Sequence, residues 1–405
     1  MSSGFVAGKA VASITGPAGV ALVGQFTNFI AIILTLSNGA INNGIVKYTA
    51  ENDSKGINQS LLFTTALKIS IFCSVVVGIT LFLFAGPISN WIFKTPDEYT
   101  ILVRIFSFCI LLYSLNSLLI SILNGLRQIK MYTLVNTMGS VVSLLLTLLL
   151  VFYFKLTGAL YALILSQSIA CIITCILLSK VSWFKWNAFK GKLDNSIAKN
   201  LLSFSVMALV SVLAMPLAQI IIRNHIASNL GFNSAGYWQA IMRVSDAYLM
   251  LFTTAFSTYY LPKLSSLHTD RELRIEIING YKFVVPILLS SVIIIFFARH
   301  LIIKILFTSE FTQMENLFFF QLLGDLFKML AWILSYLMLA KSMTKEYIIT
   351  EIFFGVSYVF MCIILTNSLG LKGIVVAFAI NYFMYMLCML FLFRRLLFFK
   401  NQPSL

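Results

Sequence analysis

Apolar runs of roughly twenty residues, separated by short polar breaks, recur along the whole chain. An α-helix needs about 20 apolar residues to cross about 30 Å of hydrocarbon. On that rule the runs predict twelve membrane spans: 4–15, 20–41, 60–85, 100–122, 134–154, 159–178, 201–222, 237–260, 283–306, 317–339, 348–367 and 374–393. The first run is too short to cross at 1.5 Å per residue, so a missing beginning of that helix is the expectation. The longest polar break near the middle, 179–200, separates two sets of six spans.

The two sets echo one another. Ala18-Gly19 recurs as Ala235-Gly236 at an offset of 217, and Lys130 and Tyr132 recur as Lys345 and Tyr347 at 215. Leu156, Gly158 and Ala162 recur as Leu371, Gly373 and Ala377, again at 215. Six spans per unit is an even number, so both copies run with the same topology, related by an axis along the membrane normal. The expected fold is therefore an all-α integral membrane protein of twelve transmembrane helices, built as two six-helix lobes around a central cavity. Residues 1–178 form the first lobe, 179–200 a cytoplasmic linker, 201–393 the second lobe and 394–405 a basic cytoplasmic tail.

Composition narrows the class. Of 405 residues 60% are hydrophobic and 11% charged, against about 45–50% and about 25% in soluble domains. A soluble enzyme is excluded, and no long polar stretch remains to build the external domain of a single-span receptor. The 29 Lys and Arg against 14 Asp and Glu, a net +15, point to loops facing anionic lipid rather than to nucleic acid. On alternate connections, one set carries eighteen cations and the other only Lys94, Lys155, Arg223, Arg299, Lys304 and Lys372. That excess places both termini and 179–200 in the cytoplasm. The six cysteines lie in apolar runs and read as packing residues rather than metal ligands or a disulfide.

Chemistry of other kinds is missing from the sequence. There is no phosphate-binding loop, and His225, His268 and His300 are scattered. No metal, cofactor or catalytic activity is expected, and any movement must be driven by a gradient or by the substrate itself.

Charged groups at membrane depth cost at least about 2.5–3.5 kcal/mol each and require a pair, water or a ligand. Asp246 lies about nine residues into the eighth span, with Arg243 three residues before it on the same face. Asp325 and Lys328 repeat that spacing in the tenth span with the order reversed. Two readings stand side by side: structural ion pairs, or lining of a watery cavity. Lys9 is read as a cavity residue and Arg104 as an interfacial anchor. Lys68 and Glu351 lie nearer the ends of their spans, and Glu351 is a further carboxylate one turn from the cytoplasmic edge. These five cations against Asp246, Asp325 and Glu351 leave +2, a balance that suits an anionic head group. Amides such as Asn43 and Gln239 suit sugars, while Tyr237 and Trp238 are read as interface anchors. Pro216, mid-way along the seventh span, kinks its helix and is either a hinge or a static bend.

Several stretches resemble the bacterial polysaccharide-unit flippases, the O-antigen translocases and their relatives that move lipid III. They are 237–267 (YWQAIMRVSDAYLMLFTTAFSTYYLPKLSSL), GPAG at 16–19, NGIVKYTA at 43–50, AMPLAQI around Pro216, and QLLGDLFK at 321–328. The wider superfamily holds multidrug extruders and the peptidoglycan lipid II flippase. The resemblance implies a cation-lined cavity, proton coupling, and a polyprenyl-pyrophosphate-linked oligosaccharide carried from the cytoplasmic to the periplasmic leaflet of the inner membrane. Lys9, Asn43, Lys47, Arg104, Arg127, Asp246, Asp325, Lys328 and Glu351 stand where similar residues occur in that family, whereas Lys68 and Arg243 do not clearly match.

On this reading Lys9, Lys328 and Arg243 hold the pyrophosphate, with Asn43 and Gln239 completing the substrate site. Asp246, Asp325 and Glu351 carry protons or form ion pairs. The expected partners are the lipid-linked oligosaccharide, membrane lipid, and a polysaccharide polymerase with its chain-length regulator; nucleic acid is not expected, and the chain should act as a monomer. A cation-coupled multidrug extruder is the alternative, but its cavity would carry an excess of acid. A membrane glycan polymerase would need a larger external loop than 86–99 or 223–236 provides.

Overall fold

The computed structural model describes residues 2–54, 59–94, 98–179, 181, 184, 189, 191, 193–267, 269–341 and 343–398. Parts of the expected linker 179–200 and tail 394–405, several of their lysines, Lys55 and His268 lie outside the described residues. Every regular element among the described residues is helical. Eight helices among them are long and apolar enough to cross a membrane.

The chain divides into two compact units: Met1–Thr15 with Leu22–Ile220, and Gly16–Ala21 with Ile221–Leu405. The first contains most of α1 (Ser2–Ser37), then α2 (Asn42–Ser54), α3 (Ser60–Leu83), α4 (Ala85–Phe93), α5 (Thr100–Gly125), α6 (Ile129–Leu178) and most of α7 (Asn195–Leu230). Ile41, Ile45, Leu62, Phe63, Leu118, Ile122 and Leu201 form one of its buried cores. The second unit holds α8 (Phe232–Ala255), a π-helical turn (Phe256–Tyr260), α9 (Leu261–Ser266), α10 (Asp270–Leu306) and a 3-10 helix (Ser309–Leu317). It continues through α11 (Phe318–Ala340), α12 (Thr344–Leu369), α13 (Leu371–Leu392) and α14 (Arg394–Phe398).

Several expected boundaries shift for identifiable reasons. The first two spans form one element that bends at Gly16 (φ 64°, ψ −171°), followed by Pro17. The fifth and sixth are likewise one element, broken at Lys155 (φ 49°, ψ −125°). The seventh extends past 222 to Leu230 and stops before Gly231, a left-handed residue at φ 85°. The eighth begins earlier, at Phe232, and runs through the π-helical turn into α9, whose second residue is Pro262. The helix α2 was not anticipated, because its polar sequence NNGIVKYTAENDS gives no apolar run.

The echo at 215 residues extends to the backbone. Gly16 and Gly231, 215 apart, both carry positive φ between helical runs. Gln128 and Met343 precede α6 and α12 with nearly identical angles, φ −78°, ψ 64° and φ −77°, ψ 66°. Lys155 corresponds to Gly370 (φ 58°, ψ −141°), and each sits at a reversal between two helical runs. Beyond each reversal a glycine is required by contact. A Cβ on Gly158 would lie 1.9 Å from the Leu150 carbonyl oxygen, and one on Gly373 2.2 Å from that of Leu365. Both contacts span eight residues, so the two units turn their chain by the same device.

The equivalence leaves one copy strained. Gly370 has its conformation at little cost, whereas Lys155 places a side chain in a region that costs about 1–3 kcal/mol. Lys155→Gly removes that strain and adds only about 0.5–1 kcal/mol of unfolded-state entropy. The variant should melt about 1–3 °C higher than the parent in detergent; an equal or lower melting temperature would contradict the strain.

Candidate functional site

Of the ionisable groups expected at depth, Arg243, Asp246, Asp325, Lys328 and Glu351 fall in the second unit, whereas Lys9, Lys68 and Arg104 belong to the first. Helix α11 carries Asp325, which has no solvent exposure, and Lys328 one turn on, 8% exposed. A Cβ on Gly324 would lie 2.3 Å from the Phe378 ring, so α11 lies tight against α13 beside Asp325. A buried carboxylate needs donors to replace its lost water. Asp325 has three: Ser245 Oγ at 2.6 Å and Tyr248 OH at 2.8 Å reach it from α8, and Gln321 Nε2 at 3.3 Å from its own helix.

Lys328 solves the same problem differently. Its Nζ lies 4.9 Å from the centre of the Trp332 ring and 5.7 Å from that of Tyr382, within the about 6 Å over which an aromatic face attracts a cation. Among the described residues no ion pair within 4.0 Å joins Asp325 to Lys328, or Arg243 to Asp246. The charge of Lys328 instead acts on three carboxylates, Asp246, Asp325 and Glu351. Asp246 on α8 is exposed, and Arg243 is half-buried. Glu351 on α12 is half-buried and accepts from Tyr385 OH at 3.5 Å. Tyr385 OH also lies 3.1 Å from Ser335 Oγ.

One member of this cluster escaped the sequence reading. Arg223 was counted on an external connection, yet it lies inside α7 and is 2% exposed. Its guanidinium stacks 5.3 Å from the centre of the Trp238 ring, and Nη2 donates to Gln239 Oε1. The charge of Arg243 acts on it as well. The available signal was Gly231: no glycine or proline interrupts 217–230, so the helix could have been carried over Arg223 to that terminator. Trp238 is fully buried and Tyr237 nearly so, which corrects their reading as interface anchors.

Thus Gln239, Arg243, Asp246, Asp325, Lys328 and Glu351 fall within one unit. Lys9 on α1 and Asn43 on α2 are exposed and belong to the other. In that unit Lys47 pairs with Glu51 at 3.9 Å, and Lys68 Nζ donates to the Gly191 carbonyl at 2.9 Å. Arg104, exposed, lies 5.9 Å from the centre of the Phe82 ring. Pro216 sits within α7, which continues through it. Among the described residues no group of three His, Cys, Asp or Glu side chains is placed to hold a metal.

The fold is that of a helical membrane protein with ionisable groups held on its apolar helices. The architecture matches a multidrug resistance MATE family transporter of the MOP superfamily, solved in an inward-facing conformation. The TM-score is 0.84 at 16% identity, covering 97% of this chain and 94% of that one. Residues 4–268 match the family described as polysaccharide biosynthesis protein, and the chain belongs to that family. It is 30% identical over 352 residues to the proteins named Lipid III flippase from Escherichia coli (strain K12) and Shigella flexneri, covering 87% of this chain and 84% of each relative.

The donors around Asp325 are testable as structure. Ser245→Ala and Tyr248→Phe each remove one hydrogen bond to a buried charge, at a cost of about 1–3 kcal/mol. Both should lower the melting temperature of the purified protein. If neither does, α8 does not hold the Asp325 carboxylate.

Proposed function

We propose that this protein is a flippase that carries a polyprenyl-pyrophosphate-linked oligosaccharide, a lipid III or O-antigen repeat unit, from the cytoplasmic to the periplasmic leaflet of the inner membrane. The observation that carries the reading is the Asp325–Lys328 cluster, where charge is held inside a membrane helix pair by neutral donors and aromatic rings. The 30% identity to proteins named Lipid III flippase supports the substrate class.

In this reading twelve helices form two lobes, 1–178 and 201–393, around a central cavity, joined by the cytoplasmic linker 179–200 and followed by the tail 394–405, with both termini cytoplasmic. Lys9, Lys328 and Arg243 receive the diphosphate, because an ammonium or guanidinium meets phosphate oxygens with charge-assisted hydrogen bonds. Asn43 and Gln239 serve the sugars, and Pro216 is the hinge. The oligosaccharide is delivered to a polymerase and its chain-length regulator, and the flippase works as a monomer.

Proton uptake would supply the drive. An ionised Asp325 accepts from Ser245 and Tyr248 on α8; a protonated one loses part of that acceptor capacity and all of its charge. The link between α8 and α11 then weakens, while Lys328 loses one of its three neighbouring negative charges. Asp246 and Glu351 offer two further carboxylates on which the proton can reside. Cycling between these states lets the cavity take and release an anion without ATP.

Asp325→Asn keeps the side-chain shape and removes the titrating charge. In a strain lacking the gene, it should reduce surface polysaccharide at least ten-fold while the protein still accumulates in the membrane. The undelivered lipid should build up in the cytoplasmic leaflet, and its mass would report the repeat unit. Normal polysaccharide with the Asn variant would exclude the proposed role of Asp325.

A further inference from the structure

The 215-residue equivalence pairs the crevice beside Glu351 with a crevice in the first unit, and the two are finished differently. In the second unit Glu351, Tyr382, Tyr385 and Ser335 meet among α11, α12 and α13. Their equivalents are Asn136, Gln167, Ala170 and Ile120. A carboxylate is replaced by a carboxamide, one phenol by a second carboxamide, and the other phenol by a methyl group. The large rings that fill one crevice are absent from the other, and a cavity of about 310 Å³ stands there, between the start of α1 (Ser3, Gly4 and Ala7), α5 and the two runs of α6. That volume is at the lower end of the about 300–1,000 Å³ typical of small-molecule sites.

The wall is polar yet uncharged. Among the described residues no Asp, Glu, Lys, Arg or His lines the cavity. Asn116, 3% exposed, accepts from Thr174 Oγ1 at 2.8 Å and donates to Gln167 Oε1 at 3.2 Å. This chain fixes the Gln167 carboxamide by its oxygen and leaves the two Nε2 hydrogens for the cavity. Asn136 donates its amide to the Tyr132 carbonyl at 2.8 Å and keeps Oδ1 as an acceptor. Ser140 donates to the Asn136 carbonyl at 2.8 Å, and its oxygen can still accept. Ile120, Val135 and Leu144 supply an apolar surface. Gln167, Asn136 and Ser140 are exposed, so a ligand can reach them.

From this we infer that the first unit contains a subsite for one uncharged sugar ring of the transported lipid, built on Asn136, Gln167 and Asn116. Fixed donors beside fixed acceptors match the hydroxyl and acetamido groups of a sugar, and the apolar wall matches its C–H face. An anion finds no cation here and a cation no carboxylate. The two repeats thus divide the work: one crevice keeps titratable groups, and its counterpart reads neutral hydrogen bonds. The inference rests on the flippase reading, because it takes the ligand to be part of that substrate.

The test compares purified protein binding two probes: a polyprenyl diphosphate with no sugar, and the same lipid bearing one N-acetylhexosamine. The parent should hold the sugar-bearing lipid about ten-fold more tightly. Asn136→Leu combined with Gln167→Leu should abolish that difference and leave the bare lipid's affinity unchanged. Ala170→Tyr, which restores the ring found in the other crevice, should do the same by occupying the space. Retention of the ten-fold preference in both variants overturns the subsite while the flippase reading stands. An absence of preference in the parent also overturns the subsite alone. Failure of the parent to bind either lipid overturns both.

Discussion

Removing a charge from water inside a membrane is the cost around which the second unit is arranged. Asp325 has no exposure, and its own helix supplies one donor, the Gln321 amide at 3.3 Å. The two shorter hydrogen bonds come from another helix, and Ser245 and Tyr248 link α8 to α11. Lys328, a donor only, lies over the rings of Trp332 and Tyr382, the second of which ties it to α13. Two ionisable side chains one turn apart thus specify where three helices meet. Apolar packing alone would be less selective, because lipid competes on equal terms for apolar helix faces.

The backbone beneath this site is shared with the first unit. Reversals at Lys155 and Gly370 and starts after Gln128 and Met343 fall at one constant offset, so the halves differ in side chains far more than in chain path. That separation matters for a transporter. A frame set by glycine contacts, such as Gly158 on Leu150 and Gly373 on Leu365, tolerates exchange of crevice residues without change of fold. Tyr113 stands in the first unit at the position of Lys328, and its hydroxyl is spent on the Leu163 carbonyl at 2.5 Å. The cation therefore has no counterpart at that place in the other copy.

Much of this was legible from one chain. Long apolar runs locate most spans because only internal hydrogen bonding survives in lipid, and a charge inside such a run is conspicuous, as with Asp246, Asp325 and Lys328. The partners were not legible. Ser245, Tyr248 and Tyr385 belong to residue types that recur throughout these helices, and nothing in their spacing tells which one faces a carboxylate. The i,i+3 rule suggested pairing Asp325 with Lys328 and Arg243 with Asp246, since it sees one helix at a time. Arg223 was lost at a boundary: hydropathy falls after Ile222, although the hydrogen-bonded helix continues until Gly231. Helix α2 was lost for the opposite reason, being helical without being apolar.

The failure of that pairing rule is informative about mechanism. A carboxylate and an ammonium locked together in a low-dielectric interior attract strongly, and separating them leaves two uncompensated charges. A site built so would be rigid and indifferent to phosphate. Here the carboxylate is held by hydroxyls and an amide, and the ammonium by ring faces. Each of those contacts is weaker than a buried ion pair, and each can be traded singly. On the proposed reading, an incoming anion meets Lys328 without first expelling Asp325 from it, and a proton neutralises Asp325 without stranding Lys328. Exchange at one partner then costs little at the other, which is the condition a transporter must meet to bind, turn over and release.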